Sequence, residues 1–357
     1  MKQSKHFSKK LAALVAGGLF SLSFASASAA ETRSLALSES VELALENNRS
    51  IKSSVTDVDA ADWAYHEARR TAGPKLTLST QGNRVGGKAY KMYDHDYAFR
   101  SSAALSFPLY TGGSIERGIE AARYGVNNAD LALEGTKQAV RYQTTGQYFK
   151  ALEYRNLIKV GEMSVANLKS HLANVNAQYK VGTVARSDVL ASQVSLANAE
   201  QSLVNVTNNY DVAIAELNKI IGLPTDTKLS LADELAYRKY DLSLEDCTEY
   251  ALAHRADGIA ADYAVRQANA AMEATRGASL PQVSAAASRT VGGDSLFSNN
   301  TDSADTWSIG IQANWAAFDN NVTQAQVNQK RAAVHKLQQA AEDTREQIAL
   351  DVQTAYL

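Results

Sequence analysis

Leu37-Ser38-Glu39-Ser40-Val41-Glu42-Leu43-Ala44-Leu45 and Leu242-Ser243-Leu244-Glu245-Asp246-Cys247, with Ala251-Leu252 just beyond, open one pattern twice. The first runs through a polar, Ala-rich helical stretch to Glu67-Ala68-Arg69-Arg70 and Gly73-Pro74; the second runs likewise to Glu273-Ala274-Thr275-Arg276 and Leu280-Pro281. Pro74 and Pro281 stand 207 positions apart. After each proline comes an alternating segment: Leu76, Leu78 and Thr80 before Gly86-Gly87, and Val283, Ala285 and Ala287 before Gly292-Gly293. A polar loop, a second alternating segment and a long helical pattern follow in each copy. Self-similarity at a fixed offset marks a duplicated supersecondary unit. The expected order is helix, helix, strand, strand, long helix, helix, and then the same again, with a first repeat over 31–224, a linker over 225–241 and a second repeat over 242–357. Gly113 to Pro224 spends 111 residues in the first copy, whereas the chain ends 36 residues after the matching Asn321. About 75 residues of the second copy thus have no counterpart, and the chain is expected to be truncated at its C-terminus.

The strand segments are amphipathic with period two. Ser101, Ala103, Leu105, Phe107 and Leu109 face one way, against Arg100, Ser102, Ala104 and Ser106. Trp307, Ile309, Ile311, Ala313, Trp315 and Ala317 repeat this against Ser308, Gly310, Gln312 and Asn314. Tyr97 to Tyr110 is 14 residues, and a tilted membrane strand needs about 9–11. Tyr97, Phe99, Phe107 and Tyr110 flank the first such strand and Trp307, Trp315 and Phe318 the second, as an interfacial aromatic girdle would. An edge of a soluble sandwich also carries aromatics, and that reading stays open on the strands alone. Four strands cannot close by themselves, and open edges in lipid leave backbone groups unsatisfied, so a barrel built from this chain needs several copies. Pro108 lacks a donor and fits a rim or a bend into the next helix.

No proline falls between Pro108 and Pro224 or after Pro281, leaving two stretches free to be long helices. Ile115, Ile119, Ala122, Val126, Ala129, Leu133, Thr136 and Val140 alternate spacings of four and three, a heptad seam. The seam blurs over 144–157 and resumes at Val165, Leu168, Leu172, Val175 and Tyr179. Continuous helix from Ser114 to Tyr179 would run roughly 100 Å. A return helix shows Val189, Ser192, Leu196, Ala199, Leu203, Val206, Tyr210, Ala213, Leu217 and Ile220, then stops at Gly222-Leu223-Pro224. The second copy's helix shows Val322, Val327, Ala333, Leu337, Ala341, Ile348 and Val352, a stripe expected to lack a return helix within its own repeat.

Lys2, Lys5, Lys9 and Lys10 precede the apolar run Leu11 to Phe24 and the small residues Ala25-Ser26-Ala27-Ser28-Ala29-Ala30. This is an export signal over 1–29, with cleavage expected after Ala29 or Ala30. Losing four lysines takes the net charge of the 357-residue chain from −2 to −6, so no basic field suggests nucleic acid. One cysteine, Cys247, excludes an intramolecular disulfide framework and a zinc ribbon; it falls in an amphipathic helix pattern and is expected to be buried. No histidine pair has metal-site spacing, and Tyr93, Asp94, His95 and Asp96 suit a solvated loop better than a metal site. No Gly-rich phosphate loop is present. Nothing in the sequence points to an enzyme, a cofactor or a metal.

Ser38 to Asn48, Phe107-Pro108-Leu109-Tyr110-Thr111-Gly112-Gly113, Tyr179 to Leu190 and Ile221-Gly222-Leu223-Pro224, in this order and with the duplication, resemble the TolC family of outer-membrane efflux and secretion proteins from Leu37 to Leu357. The resemblance implies a mixed α and β membrane protein. It would be a homotrimer in which each chain gives four strands to a shared twelve-stranded β-barrel, continued by a long α-helical coiled-coil tunnel. Such a protein sits in the cell outer membrane with its helical part in the periplasm. It conducts substrates out of the cell from a periplasmic adaptor (membrane fusion protein) and an inner-membrane transporter (ABC, RND or similar), in multidrug or metal efflux or type I protein secretion. The alternative is a periplasmic coiled-coil adaptor or a structural stalk, although an adaptor would carry one hairpin and a lipoyl-like module rather than two strand pairs. The resemblance also implies that Val181, Gly182 and Thr183 meet the adaptor's hairpin tips. Ser187 and Asp188 match the pair that bonds to the second repeat and holds the tunnel shut. On residue chemistry alone, Ser187 is an N-cap and Asp188 a favourable charge at a helix start, and one pair can do both. The second-repeat tip would lie beyond Leu357.

Overall fold

The computed structural model describes residues 33–84, 97–237, 239–293 and 304–357. The export signal and the loop carrying Tyr93, Asp94, His95 and Asp96 lie outside them. The elements are β1 (Arg33–Leu35), α1 (Leu37–Asn47), α2 (Arg49–Arg70), β2 (Lys75–Arg84), β3 (Tyr97–Tyr110), α3 (Ser114–Lys180), α4 (Arg186–Ile221), β4 (Leu229–Leu231), α5 (Leu244–His254), α6 (Ala256–Gly277), β5 (Gln282–Gly293), β6 (Ala304–Asn314) and α7 (Val322–Tyr356). The duplicated order is the expected one. The starts of α1, α2, β2 and β3 recur 207 positions later as those of α5, α6, β5 and β6. β1 and β4 were not expected: they form a parallel pair, Arg33 with Leu229 through Leu35 with Leu231, and β4 falls within the span read as linker.

The chain divides into two compact units that do not follow its order. One holds 147–219 and 223–235 with the described residues up to 40. In it the helix pair closes on the expected seam: Val165, Val175, Val189, Ser192, Ala213 and Leu217 are buried. Gly161 lets Leu203 approach, because a Cβ there would stand 3.1 Å from Leu203 Cδ1. Lys169 and Glu200 bridge the pair at 3.0 Å, and Gln147 Nε2 donates to Ala213 O at 3.0 Å. Tyr148, Ala151 and Leu152, where the seam blurs, are fully buried. There α3 covers a second partner, the β1–β4 pair, so its apolar face widens beyond a single seam.

The other unit holds 41–146, 220–222 and 236–357. Its sheet runs β2-β3-β5-β6, antiparallel throughout. α6 and α7 pack along one another, with α5 also on α7. Val327, Val334, Ala341 and Ile348 are buried at strict seven-residue spacing. This corrects the stripe read from sequence, since Val322 and Ala333 are exposed and Val334 takes the seam. The stripe's partner is α6, which precedes the strands of the same repeat, and not a return helix. Ile348 Cδ1 stands 3.0 Å from where a Cβ on Gly258 would be, Arg345 bonds Asp262 at 2.7 Å, and Arg255 bonds Asp351 at 3.0 Å. Cys247 is half-buried rather than buried, 3.5 Å from the Tyr240 hydroxyl.

The turns from β3 into α3 and from β6 into α7 each use two consecutive left-handed residues. Gly112 and Gly113 (φ 63° and 82°) supply them before α3, and Asn320 and Asn321 (φ 54° and 61°) before α7. Asparagine is the side chain that tolerates this region best after glycine.

Candidate functional site

Pairing register sorts the strands into two faces. Leu76, Leu105, Ala287 and Ile309 form one cross-strand row; Leu78, Ala103, Arg289 and Trp307 form the next on the same face. Thr77, Ala104, Ser288 and Ser308 form a row of the opposite face, as do Ser79, Ser102, Thr290 and Thr306. The faces are those expected from alternation. The apolar one is uncovered: Leu78, Trp307, Ile309 and Ile311 are each about three-quarters exposed. The polar one is tied by hydroxyl pairs, Ser79 with Ser102 at 2.7 Å and Ser288 with Ser308 at 2.9 Å. The outer edges of β2 and β6 pair with no other strand among the described residues.

Pro108 sits where the β3–β5 register shifts, so its missing donor falls at a bulge. The shift pairs Tyr110 with Val283 and so moves it onto the apolar face, which simple alternation would not. Phe99 lies across Gly82, occupying the space a side chain there would need. Phe107 and Tyr110 are exposed near the helical end, as are Trp315 and Phe318 just past β6; Trp315 Nε1 donates to Ser279 O at 3.0 Å. Trp307 lies nearer the loop end; the side chain of Tyr97 lies outside the described residues. The Arg289–Asp305 ion pair on the apolar face is bidentate, with Arg289 donating at 3.1 and 2.7 Å.

The tip of the α3–α4 hairpin is built by a Schellman motif. Gly182 has φ 77°, its N–H donates to Tyr179 O at 3.0 Å, and the Thr183 N–H donates to Gln178 O at 3.0 Å. Val181 stands fully open, about three-quarters exposed, and Thr183 Oγ1 donates to Gln178 O. The N-cap is not Ser187. α4 starts at Arg186, so Ala185 takes the cap position, and Asp188 at the third helical position accepts the Ala185 N–H at 3.1 Å. That is the carboxylate half of a capping box, and it displaces Ser187 into the first turn, its hydroxyl 3.4 Å from Asp188 Oδ1.

Sequence reasoning missed the polar cluster under β1 and β4. Asp233 Oδ2 accepts the Leu37 N–H at 2.8 Å and lies 2.7 Å from the Tyr148 hydroxyl, which also reaches Leu35 O at 2.9 Å. Arg155 donates to Leu231 O at 2.6 Å and Asp233 O at 2.7 Å. The Leu37 N–H bond, with that of Tyr148, holds the Asp233 carboxyl below its ordinary range. Burial, then Asp233, pushes the Tyr148 phenol up to about 12. The cluster locks a strand pair and offers no reactive group. Among the described residues no group of three or more His, Cys, Asp or Glu could hold a metal, and no helix is long and apolar enough to cross a membrane.

The model of the family described as outer membrane efflux protein matches residues 40–223 and 248–357. The outer membrane efflux protein BepC of Brucella suis is 25% identical over 304 residues, covering 84% of this chain; the chain spans only 65% of that relative's length. Among solved structures, the Campylobacter jejuni CmeC outer membrane channel superposes with a TM-score of 0.75 at 17% identity, over 86% of this chain and 67% of that one. The outer membrane protein VceC of Vibrio cholerae superposes with a TM-score of 0.71 at 15% identity, over 87% and 75%. These superpositions establish a common fold.

Proposed function

We propose, from the premise that this chain belongs to the outer membrane efflux protein family, that it forms the wall of an export channel in the outer membrane, with its helical part in the periplasm. One observation carries this reading: a four-stranded sheet with an uncovered apolar face, a hydroxyl face opposite and two edges left free among the described residues. Water penalises such an apolar face, lipid accepts it, and lipid in turn forbids free edges. Joining β6 of one copy to β2 of the next resolves both. Three copies would close twelve strands into a barrel whose hydroxyl face lines the pore, making the assembly a homotrimer.

In this reading Tyr97, Phe99, Phe107, Tyr110, Trp307, Trp315 and Phe318 lie at the two membrane boundaries, where amphipathic rings are favoured. The open Val181-Gly182-Thr183 tip is the docking point for a periplasmic adaptor, which links it to an inner-membrane transporter (ABC, RND or similar). Ser187 and Asp188 shape that tip and serve its closure. The chain acts as a conduit and performs no chemistry. A soluble coiled-coil adaptor or a stalk has no use for the apolar sheet face. The test is fractionation: the exported chain should stay with the outer membrane through carbonate extraction, and recovery in the soluble periplasmic fraction would refute the proposal.

A further inference from the structure

We infer that the strand section of the pore prefers anions, an inference that rests on the channel reading above. The two faces of the sheet treat charge differently. On the apolar face Arg289 is neutralised by Asp305 through two hydrogen bonds. On the hydroxyl face the described strand residues include two cations, Lys75 and Arg100, and no carboxylate at all. Neither cation has an ion-pair partner among the described residues, and both are exposed.

Arg100 lies in a row with Gln81, Gly292 and Ala304, and Lys75 in a row with Ser106, Ala286 and Gly310. The row neighbours are all uncharged, so none of them neutralises either cation. Unpaired charge persists only where water or a mobile ion solvates it, so this face is wet. Six positions of β3 separate the Arg100 and Ser106 rows, roughly 20 Å along the strand. Copies arranged around a common pore would repeat both cations as rings, and a ring of Arg or Lys selects anions as a ring of Asp or Glu selects cations. Among the described strand residues of this face none supplies a counterion to these rings. The cargo class favoured in this section is accordingly the anionic solute.

The test uses the full chain in planar bilayers under a potassium chloride gradient. The expected chloride-over-potassium permeability ratio exceeds one and falls by about twofold or more in the K75Q/R100Q double variant. Arg100→Lys, which keeps the charge, should retain the preference. The two single variants, each checked for membrane insertion, replace the double variant if that one inserts poorly. Screening should weaken the preference as salt rises, since the Debye length shrinks from about 30 Å at 0.01 M to about 3 Å at 1 M. A cation preference, or a ratio the neutral variants leave unchanged, overturns this inference and leaves the channel reading standing. No conductance from well-inserted protein counts against the channel reading, and the inference falls with it.

Discussion

Gly182 and Gly222 hold nearly the same backbone conformation in different surroundings, and substituting both separates strain from crowding. Gly182 has φ 77° and Gly222 φ 79°, and each ends a helix. An added methyl at Gly182 would meet nothing within 4 Å. Gly182→Ala should therefore cost only the left-handed backbone penalty of about 1–2 kcal/mol. At Gly222 the methyl would stand 2.7 Å from Asn47 Cβ and 3.3 Å from Asn47 O. Asn47 ends α1, and the adjacent Asn48 bonds Ile220 O at 2.9 Å, so neither side yields easily. Overpacking adds about 1–3 kcal/mol there, for about 2–5 kcal/mol in all. Guanidinium unfolding of the detergent-solubilised protein, followed by helical circular dichroism, should show Gly222→Ala less stable than Gly182→Ala by about 1–3 kcal/mol. Equal losses would refute the claim that the Asn47 contact, rather than φ alone, demands glycine.

Ile309→Arg, on the apolar face, should cost about 2–4 kcal/mol of insertion free energy and lower the yield of membrane-embedded protein, whereas Ser308→Arg on the opposite face should insert normally. Equal yields would contradict the assignment of faces. The Tyr148–Asp233 pair predicts loss of stability at both ends of the pH scale. Tyr148 is raised in the folded state, so its contribution is whole below pH 10 and drains as pH rises from 10 to about 12. Asp233 is lowered, so its contribution is whole above 3.8 and drains as pH falls through the lower folded value. Tyr148→Phe should lose about 1–3 kcal/mol at neutral pH and flatten the alkaline limb, and Asp233→Asn should flatten the acid limb. Unchanged limbs in pH-dependent melting would remove the pair from the account.

Features set by local period were legible in the amino-acid pattern alone. α4 repeats every three or four residues, and Val189, Ser192, Ala213 and Leu217 are buried where that spacing puts them, although Ile214, Asn218 and Ile221 are buried beside the seam and Ile220 only half so. The strands alternate against an unobstructed face, so Leu105 and Ser106 sort by parity. What escaped needed information from elsewhere in the chain. β1 and β4 are three residues each and pair across nearly 200 positions, and neither has a pattern to read. They in turn bury Tyr148 and recruit Arg155, which the sequence showed as a blurred seam. In α7, Ala333 and Val334 both fit an approximate heptad, and only packing on α6 selects Val334. At the tip, Ser187 and Asp188 both suit a helix start, and the true start decided for Asp188. Tyr110 changed faces through a bulge at Pro108 that alternation cannot contain.

The central claim is that the sheet's apolar face meets lipid and its hydroxyl face meets water. Cys247 is the single cysteine, so a Cys247→Ser background allows one fluorophore at a time on Ile309→Cys or Ser308→Cys. In reconstituted vesicles, lipids brominated in their acyl chains should quench the probe at 309 and spare that at 308, while aqueous iodide does the reverse. Iodide quenching of both positions, with no quenching by brominated lipid at 309, would contradict the account.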